Sequence, residues 1–142
     1  MPAAKPARAK SPGKTGKPDF APVFAALRQL LAGFVSNEIA VQMDKPGNYH
    51  LEVLSILHRK KPLYFAGVRT NKNYVSLHLL CLYYSPDLAP MSPALKKRMQ
   101  GKACFNFTQV DPECFAELKR LAEAGLKKFK SAEFRKYIQS IQ

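Results

Sequence analysis

Residues 39–82 alternate between apolar and polar side chains in short runs that turn-forming residues separate. Alternation with a period of two is typical of half-buried β-strands, because successive side chains point to opposite faces of a sheet. The runs are Ile39–Asp44, Tyr49–Ser55, Leu63–Arg69 and Tyr74–Leu82. The connections are a turn at Lys45–Asn48, a basic loop at His58–Pro62 and a hairpin turn at Thr70–Asn73. Short connections join antiparallel neighbours, so we expect four consecutive strands of an antiparallel sheet.

Two helical patterns flank these strands. Asp19 can cap a first helix, and apolar residues follow it at helical spacing as far as Val35. After a loop rich in proline, residues 93–100 predict a short helix, with Ser92 as its cap and Gly101 as its stop.

The remainder of the chain adds one strand and one helical region. Residues 102–110 predict a strand, and Asp111 begins the last helix with a proline directly after it. Gly125 and Ser131 indicate a break or a second cap within that helical region. The predicted fold class is α+β, with an antiparallel sheet of about five strands and the N-terminal and C-terminal helices packed on one face.

The first 18 residues differ in composition from the rest of the chain. They contain five basic residues, no acidic residue, and almost nothing else but Ala, Pro, Gly, Ser and Thr. A segment with so little to bury is predicted to be a disordered basic tail. Residues 19–142 are predicted to form a single domain, because a chain of 142 residues with 46% hydrophobic residues can build one core.

The charge of the predicted domain indicates the class of partner. The whole chain has 23 basic and 10 acidic residues, so residues 19–142 keep 18 basic residues and a net charge of +8 without the tail. An acidic protein or a polyanion is therefore a candidate partner. No recognition-helix or RNA-binding motif is present, so we expect no sequence-specific binding of nucleic acid.

Export and membrane insertion are not expected. No apolar segment follows the basic N-terminus within the range of a signal peptide, and the run from Val75 to Tyr84 is too short to span a bilayer. The three cysteines, Cys81, Cys104 and Cys114, are too few and too widely spaced for a disulfide framework or a typical zinc site. They are expected to be reduced thiols of a cytoplasmic protein.

Catalytic and cofactor motifs are not found in the sequence. Gly67 and Gly101 are isolated, so no glycine-rich phosphate loop is predicted, and no reactive-cysteine signature surrounds Cys104. We therefore assign no catalytic residue, no cofactor and no metal ligand, and expect the protein not to be an enzyme.

Two groups of polar residues are candidates for binding. The first is a basic patch that two loops would form together, as a site for an anion or a partner: Arg59, Lys60, Lys61, Lys96, Lys97, Arg98 and Lys102. The second is a pocket on one face of the sheet: Tyr64, Tyr74, Ser76 and His78. The alternatives are a basic surface that only confers solubility, and a wet sheet face or a core histidine.

Two stretches of the chain carry a family resemblance. Residues 60–69 (KKPLYFAGVR) with 74–78 (YVSLH), and residues 92–107 (SPALKKRMQGKACFNF), resemble the YdhG-like family of uncharacterised bacterial domains. The resemblance covers roughly residues 20–130, the size of one domain. It implies a fold related to frataxin, with helices on one side of an antiparallel sheet, and a function that is mostly unassigned.

The resemblance also implies one specific activity, since some YdhG-like proteins are described as intracellular iron chaperones of the frataxin type. Frataxins bind iron through an acidic ridge on the first helix and first strand, where this chain has only Asp19, Glu38 and Asp44. The leading hypothesis is therefore a non-enzymatic binding or adaptor domain of the YdhG-like family. The alternatives are a frataxin-type iron chaperone and non-specific association with nucleic acid through the tail and the basic patch.

Overall fold

The computed structural model describes residues 19–142 as an open antiparallel sheet with helices. The elements in chain order are α1 (Ala21–Ala32), β1 (Ile39–Lys45), β2 (Asn48–His58), β3 (Lys61–Thr70), β4 (Val75–Leu79), α2 (Leu80–Tyr84), α3 (Pro93–Lys96), β5 (Met99–Gln100), β6 (Cys104–Phe107), α4 (Pro112–Phe129) and α5 (Ala132–Ser140). The predicted α+β class is confirmed, and the sheet has six strands where about five were expected. The predicted disordered tail lies outside the described residues.

The order of strands across the sheet is β1-β2-β3-β4-β6-β5, and each pair of neighbours is antiparallel. The first four strands form a meander in chain order, as the alternating runs predicted. The chain then leaves the sheet through α2 and α3 and returns as the short β5 at the edge. Strand β6 lies between β5 and β4, where it pairs Cys104 with His78 and Phe105 with Leu77.

The hydrophobic core lies between one face of the sheet and the helices. Alternate strand residues such as Leu51, Val68 and Leu77 are fully buried there, and they belong to one cluster with apolar residues of α1, α2, α4 and α5. Burial of each such side chain stabilises the fold by about 1.5–3 kcal/mol. The residues between them on each strand point to the opposite face, and most of them are half-buried.

The last helical region contains two helices that meet at a cap. Asp111 accepts a hydrogen bond from the backbone N–H of Cys114 at 3.1 Å and begins α4, as predicted. Ser131 accepts one from the N–H of Phe134 at 3.2 Å and begins α5, which confirms the second cap. The predicted break at Gly125 is wrong, because α4 runs through it. A side chain at Gly125 would overlap Cys81 of α2, so close packing of two helices explains this glycine.

Several predicted boundaries differ from the structure. The strand that begins near Tyr74 ends at Leu79 rather than Leu82, because the apolar run continues as α2 and buries Cys81 and Leu82 against the core. The short helix ends at Lys96, and the backbone then enters β5. Gly101 has a φ of 70° at the turn that follows, so the strand predicted over residues 102–110 begins only at Cys104. It ends at Phe107.

The basic loop predicted at His58–Pro62 is a two-residue turn. His58 pairs with Lys61, and only Arg59 and Lys60 lie between the strands, both with positive φ (53° and 69°). Two positive φ values are typical of a type I′ turn, which matches the right-handed twist of a hairpin.

Candidate functional site

The face of the sheet opposite the helices carries a row of polar side chains that crosses four strands. Pairing places His50 of β2 beside Gly67 of β3, Gly67 beside His78 of β4, and His78 beside Cys104 of β6. Because paired residues on an antiparallel sheet point to the same face, the two histidines and the cysteine lie in line.

Tyr64 of β3 completes this row by leaning over Gly67. Its Oη lies 2.7 Å from Nδ1 of His50, and its ring centroid lies 5.5 Å from that of His78 in an edge-to-face arrangement. A Cβ at Gly67 would overlap both Tyr64 Oη and the His50 ring. Glycine is therefore what allows the phenol and the imidazole to meet above β3. We call His50, Tyr64, His78 and Cys104 the sheet-face row.

The row ends in a contact between a thiol and an imidazole, since Nδ1 of His78 lies 3.1 Å from Sγ of Cys104. Burial raises the pKa of the Cys104 thiol. Burial also lowers the pKa of His78, with a further contribution from His50. Both shifts favour the neutral forms, so the pair at neutral pH is a thiol next to a neutral imidazole.

The other two members of the row are shifted in the same sense. Burial lowers the pKa of His50, and the positive charge of Arg69 lowers it further. Burial raises the pKa of Tyr64 far above its ordinary value of 10, and the neighbouring Cys104 adds to that shift. The whole row is therefore uncharged at neutral pH, so its members contact one another as neutral hydrogen-bonding groups.

A chain of hydrogen bonds runs beside the sheet-face row on the same face. The Ser76 hydroxyl accepts from the Asn71 amide at 3.1 Å and donates to Asn106 Oδ1 at 2.7 Å. The Asn106 amide in turn donates to Gln100 Oε1 at 2.6 Å. Arg69 is paired with Ser76 across β3 and β4 and is exposed on this face. A cation and several amide and hydroxyl groups therefore border the neutral row.

The four residues predicted for the pocket divide into two groups. Tyr64 and His78 are in contact, and Ser76 lies on the same face, one pair further along β4. Tyr74 lies just before β4 and is half-buried, and its carbonyl accepts a hydrogen bond from the N–H of Asn71. The structure thus brings three of the four residues to one part of the sheet and leaves Tyr74 at the adjoining turn.

Sequence reasoning missed His50, Gly67, Cys104 and Asn106 as parts of this face. His50 and Cys104 each lacked a recognisable partner in the sequence, although their partners are Tyr64 and His78. Alternation within β2 does place His50 on the polar side of its strand, so its position on this face could be predicted. The contacts also depend on the register between strands, which the sequence does not predict.

The seven predicted basic-patch residues do not lie together in the structure. Arg59 and Lys60 form the β2–β3 turn with Lys61 after it, whereas Lys96 ends α3, and Lys97 and Arg98 connect it to β5. Strands β3 and β5 are three positions apart in the sheet, which corresponds to about 14 Å. Lys102 is at a third place, with its ammonium 5.9 Å from the centre of the Tyr83 ring. An anion-binding role for either cluster stays a prediction.

The acidic residues relevant to iron are mostly engaged by cations. Asp44 accepts from Arg28 at 2.6 Å, and Glu38 lies 2.8 Å from the ammonium of Lys130. Within residues 19–142, no group of three or more His, Cys, Asp or Glu side chains is placed to hold a metal ion. The frataxin-type alternative therefore has no ligand cluster in this part of the chain to support it.

Comparison of the chain with family models, with curated proteins and with solved structures finds no match. The resemblance to the YdhG-like family accordingly stays a prediction. Among the helices of residues 19–142, none is long and apolar enough to cross a membrane.

Proposed function

We propose that this chain is a non-enzymatic binding domain of the YdhG-like type, located in the cytoplasm, that binds a small polar ligand on the face of the sheet opposite the helices. What supports the proposal is the sheet-face row, in which four neighbouring strands each contribute one half-buried group to a continuous set of contacts. A sheet face that only meets solvent does not require paired aromatic and imidazole rings at its centre.

The chemistry of the face indicates the class of ligand. The rings of Tyr64 and His78 offer an apolar edge, and Ser76 and Asn106 offer donors and acceptors. Arg69 supplies an exposed cation beside them. We therefore propose a ligand with a planar part that contacts the rings and a carboxylate or phosphate group that pairs with Arg69.

The three histidines make NMR titration a direct test. A panel of small planar carboxylates and phosphates is added to the full-length protein while the imidazole signals are recorded. A ligand of the proposed class shifts the signals of His50 and His78. The signal of His58, at the far end of β2 beside the turn, serves as the internal reference and stays in place.

An Arg69→Gln variant tests the role of the cation. We expect it to weaken binding by about tenfold or more, in line with about 1.5–3 kcal/mol for a hydrogen bond to a charged group. Lys72→Gln, in the exposed turn after β3, is the matched control because it removes the same charge away from the row. Ligands that shift His58 instead, or turnover of a substrate by the purified protein, would overturn the proposal.

A further inference from the structure

We propose that Cys104 and His78 form a reactive thiol–imidazole pair, and that Cys104 is the site at which this protein forms mixed disulfides with small disulfide compounds. This inference goes beyond the proposed binding role, because it requires only the contact between the two side chains and no bound ligand.

The geometry of the pair carries the proposal. Cys104 and His78 are directly opposite each other on β6 and β4, and their Sγ and Nδ1 atoms are 3.1 Å apart. The ring of Tyr64 lies edge-to-face against the His78 ring and restricts its movement. A nucleophile within hydrogen-bonding distance of a base, with the base held by a third group, is the arrangement that activates a cysteine.

The other two cysteines of the chain lack this environment. Cys81 and Cys114 are both buried, with burial raising their pKa values to about 12 and about 11. Cys104 is half-buried, so a reagent can reach it from the polar face. The three thiols thus give a comparison within one molecule, in which exposure and an adjacent imidazole coincide only at Cys104.

The proposed step balances without a cofactor. Nδ1 of His78 accepts the thiol proton as Sγ of Cys104 attacks one sulfur of a disulfide R–S–S–R. A bond forms between Sγ and that sulfur, the original S–S bond breaks, and its electron pair leaves on the second sulfur. The imidazolium then returns the proton to this thiolate, so the products are Cys104–S–S–R and R–SH. Cys104 is oxidised and the leaving sulfur is reduced.

The imidazole is needed because burial raises the pKa of Cys104 and keeps its thiolate fraction low. Exchange with a disulfide also suits the site better than acyl transfer. Acyl transfer develops charge on a carbonyl oxygen and requires aimed N–H donors. The backbone N–H groups of β4 and β6 lie in the plane of the sheet, where pairing uses them, and do not point out of its face.

The test is the reaction of the full-length, reduced protein with oxidised glutathione at neutral pH, followed by intact mass and peptide mapping. We expect one adduct, located at Cys104, while Cys81 and Cys114 stay unmodified until the protein is denatured. His78→Gln should slow the reaction by about a hundredfold or more, because about a hundredfold is the lower end of the range for general base catalysis. His78→Asn repeats the test if the glutamine variant does not fold.

His58→Gln is the matched control. It removes an imidazole at the far end of β2, outside the sheet-face row, so the rate should stay within about twofold. The inference fails if folded His78 variants react as fast as the unmodified protein, or if Cys81 or Cys114 forms the adduct at a comparable rate. The inference also fails if the folded protein forms no adduct at Cys104.

Discussion

Gly67 shows how the absence of one side chain can shape a surface. It pairs with His50 on one side and His78 on the other, and Tyr64 occupies the space above it. Any Cβ at this position would displace the hydrogen bond between Tyr64 and His50. Glycine in a central strand lowers the stability of the fold, and at Gly67 the contacts that it permits offset this loss.

Gly67→Ala is expected to lower the free energy of unfolding by about 1–3 kcal/mol, because the added methyl group overlaps Tyr64 Oη and the His50 ring. Urea denaturation measures the loss. Tyr64→Phe removes one of the overlapping atoms, so the same substitution should cost less in that background.

Gly33→Ala provides the control for that substitution. Gly33 has a helical φ of −64°, and the nearest atom to an added Cβ is the Leu30 carbonyl oxygen at 3.4 Å. Alanine should be neutral there or stabilise by about 0.4–1 kcal/mol through the unfolded chain. Equal effects at the two glycines would contradict the crowding that we describe at Gly67.

The pH dependence of stability follows from His50 and His78. Their pKa values are lowered in the folded protein, mainly by burial, so the unfolded chain binds protons more readily. Their contribution to stability is present above the unfolded value of about 6.5 and is lost as the pH falls through the folded values.

We therefore expect the urea concentration at the midpoint of unfolding to decrease as the pH is lowered from about 7.5 to about 5.5, a range in which carboxylates contribute little. The loss should shrink in a His50→Gln, His78→Gln double variant, which has neither imidazole to protonate. If the double variant loses as much stability as the unmodified protein over this range, the two histidines are not the cause.

For single residues, the sequence predicts which face of the sheet a side chain lies on, but not which side chain of the neighbouring strand it contacts. Alternation placed Tyr64 on one strand and His78 on the next, and their contact is present in the structure. The partners of His50 and Cys104 depend on how far each strand slides past its neighbour. Bulges between Leu51 and Glu52, and between Val53 and Leu57, alter that register in a way that no local pattern reveals.

Among the elements, the β2–β3 turn uses residues that do not favour its backbone conformation. Arg59 and Lys60 both have positive φ, which costs a residue with a side chain roughly 1–2 kcal/mol. Lys60→Gly should therefore stabilise the protein by up to about 1 kcal/mol, as measured by thermal or urea unfolding.

Lys72→Gly is the control for this turn, because Lys72 lies in an exposed turn without a positive φ. Glycine there only increases the freedom of the unfolded chain and should be neutral or destabilising. The strain at Arg59 and Lys60 would be refuted if the two glycine substitutions had the same effect.

The elements were more predictable than their ends. Caps at Asp111 and Ser131 were readable because a capping side chain and its helix are neighbours in sequence. The passage from β4 into α2 was not, since a continuous apolar run suits both a buried strand and a buried helix. Packing of Cys81 against Gly125 of α4 decides between them, and that contact is remote in sequence.

For the molecule as a whole, the separation of the two basic clusters has a measurable consequence. Under the nucleic-acid alternative, three Gln substitutions at Arg59, Lys60 and Lys61, or three at Lys96, Lys97 and Arg98, should each weaken binding of a labelled oligonucleotide. The two effects should add, because the clusters are further apart than the screening length of about 8 Å.

Fluorescence anisotropy at several salt concentrations measures this binding. Each lost phosphate contact should reduce the salt dependence by about 0.7 in the slope for a single strand. Strongly non-additive losses would show that the two clusters act as one surface, and an oligonucleotide that fails to bind at low salt would exclude the nucleic-acid alternative.

The two edges of the sheet bear on how this protein behaves when concentrated. A flat edge strand is a template on which further chains can add, and this leads to aggregation. Strand β5 offers only two residues for such growth, and β1 carries an extra residue at Gln42 that bends its edge, followed by the charged Asp44 and Lys45. The protein can thus keep one face of its sheet accessible without polymerising through its edges.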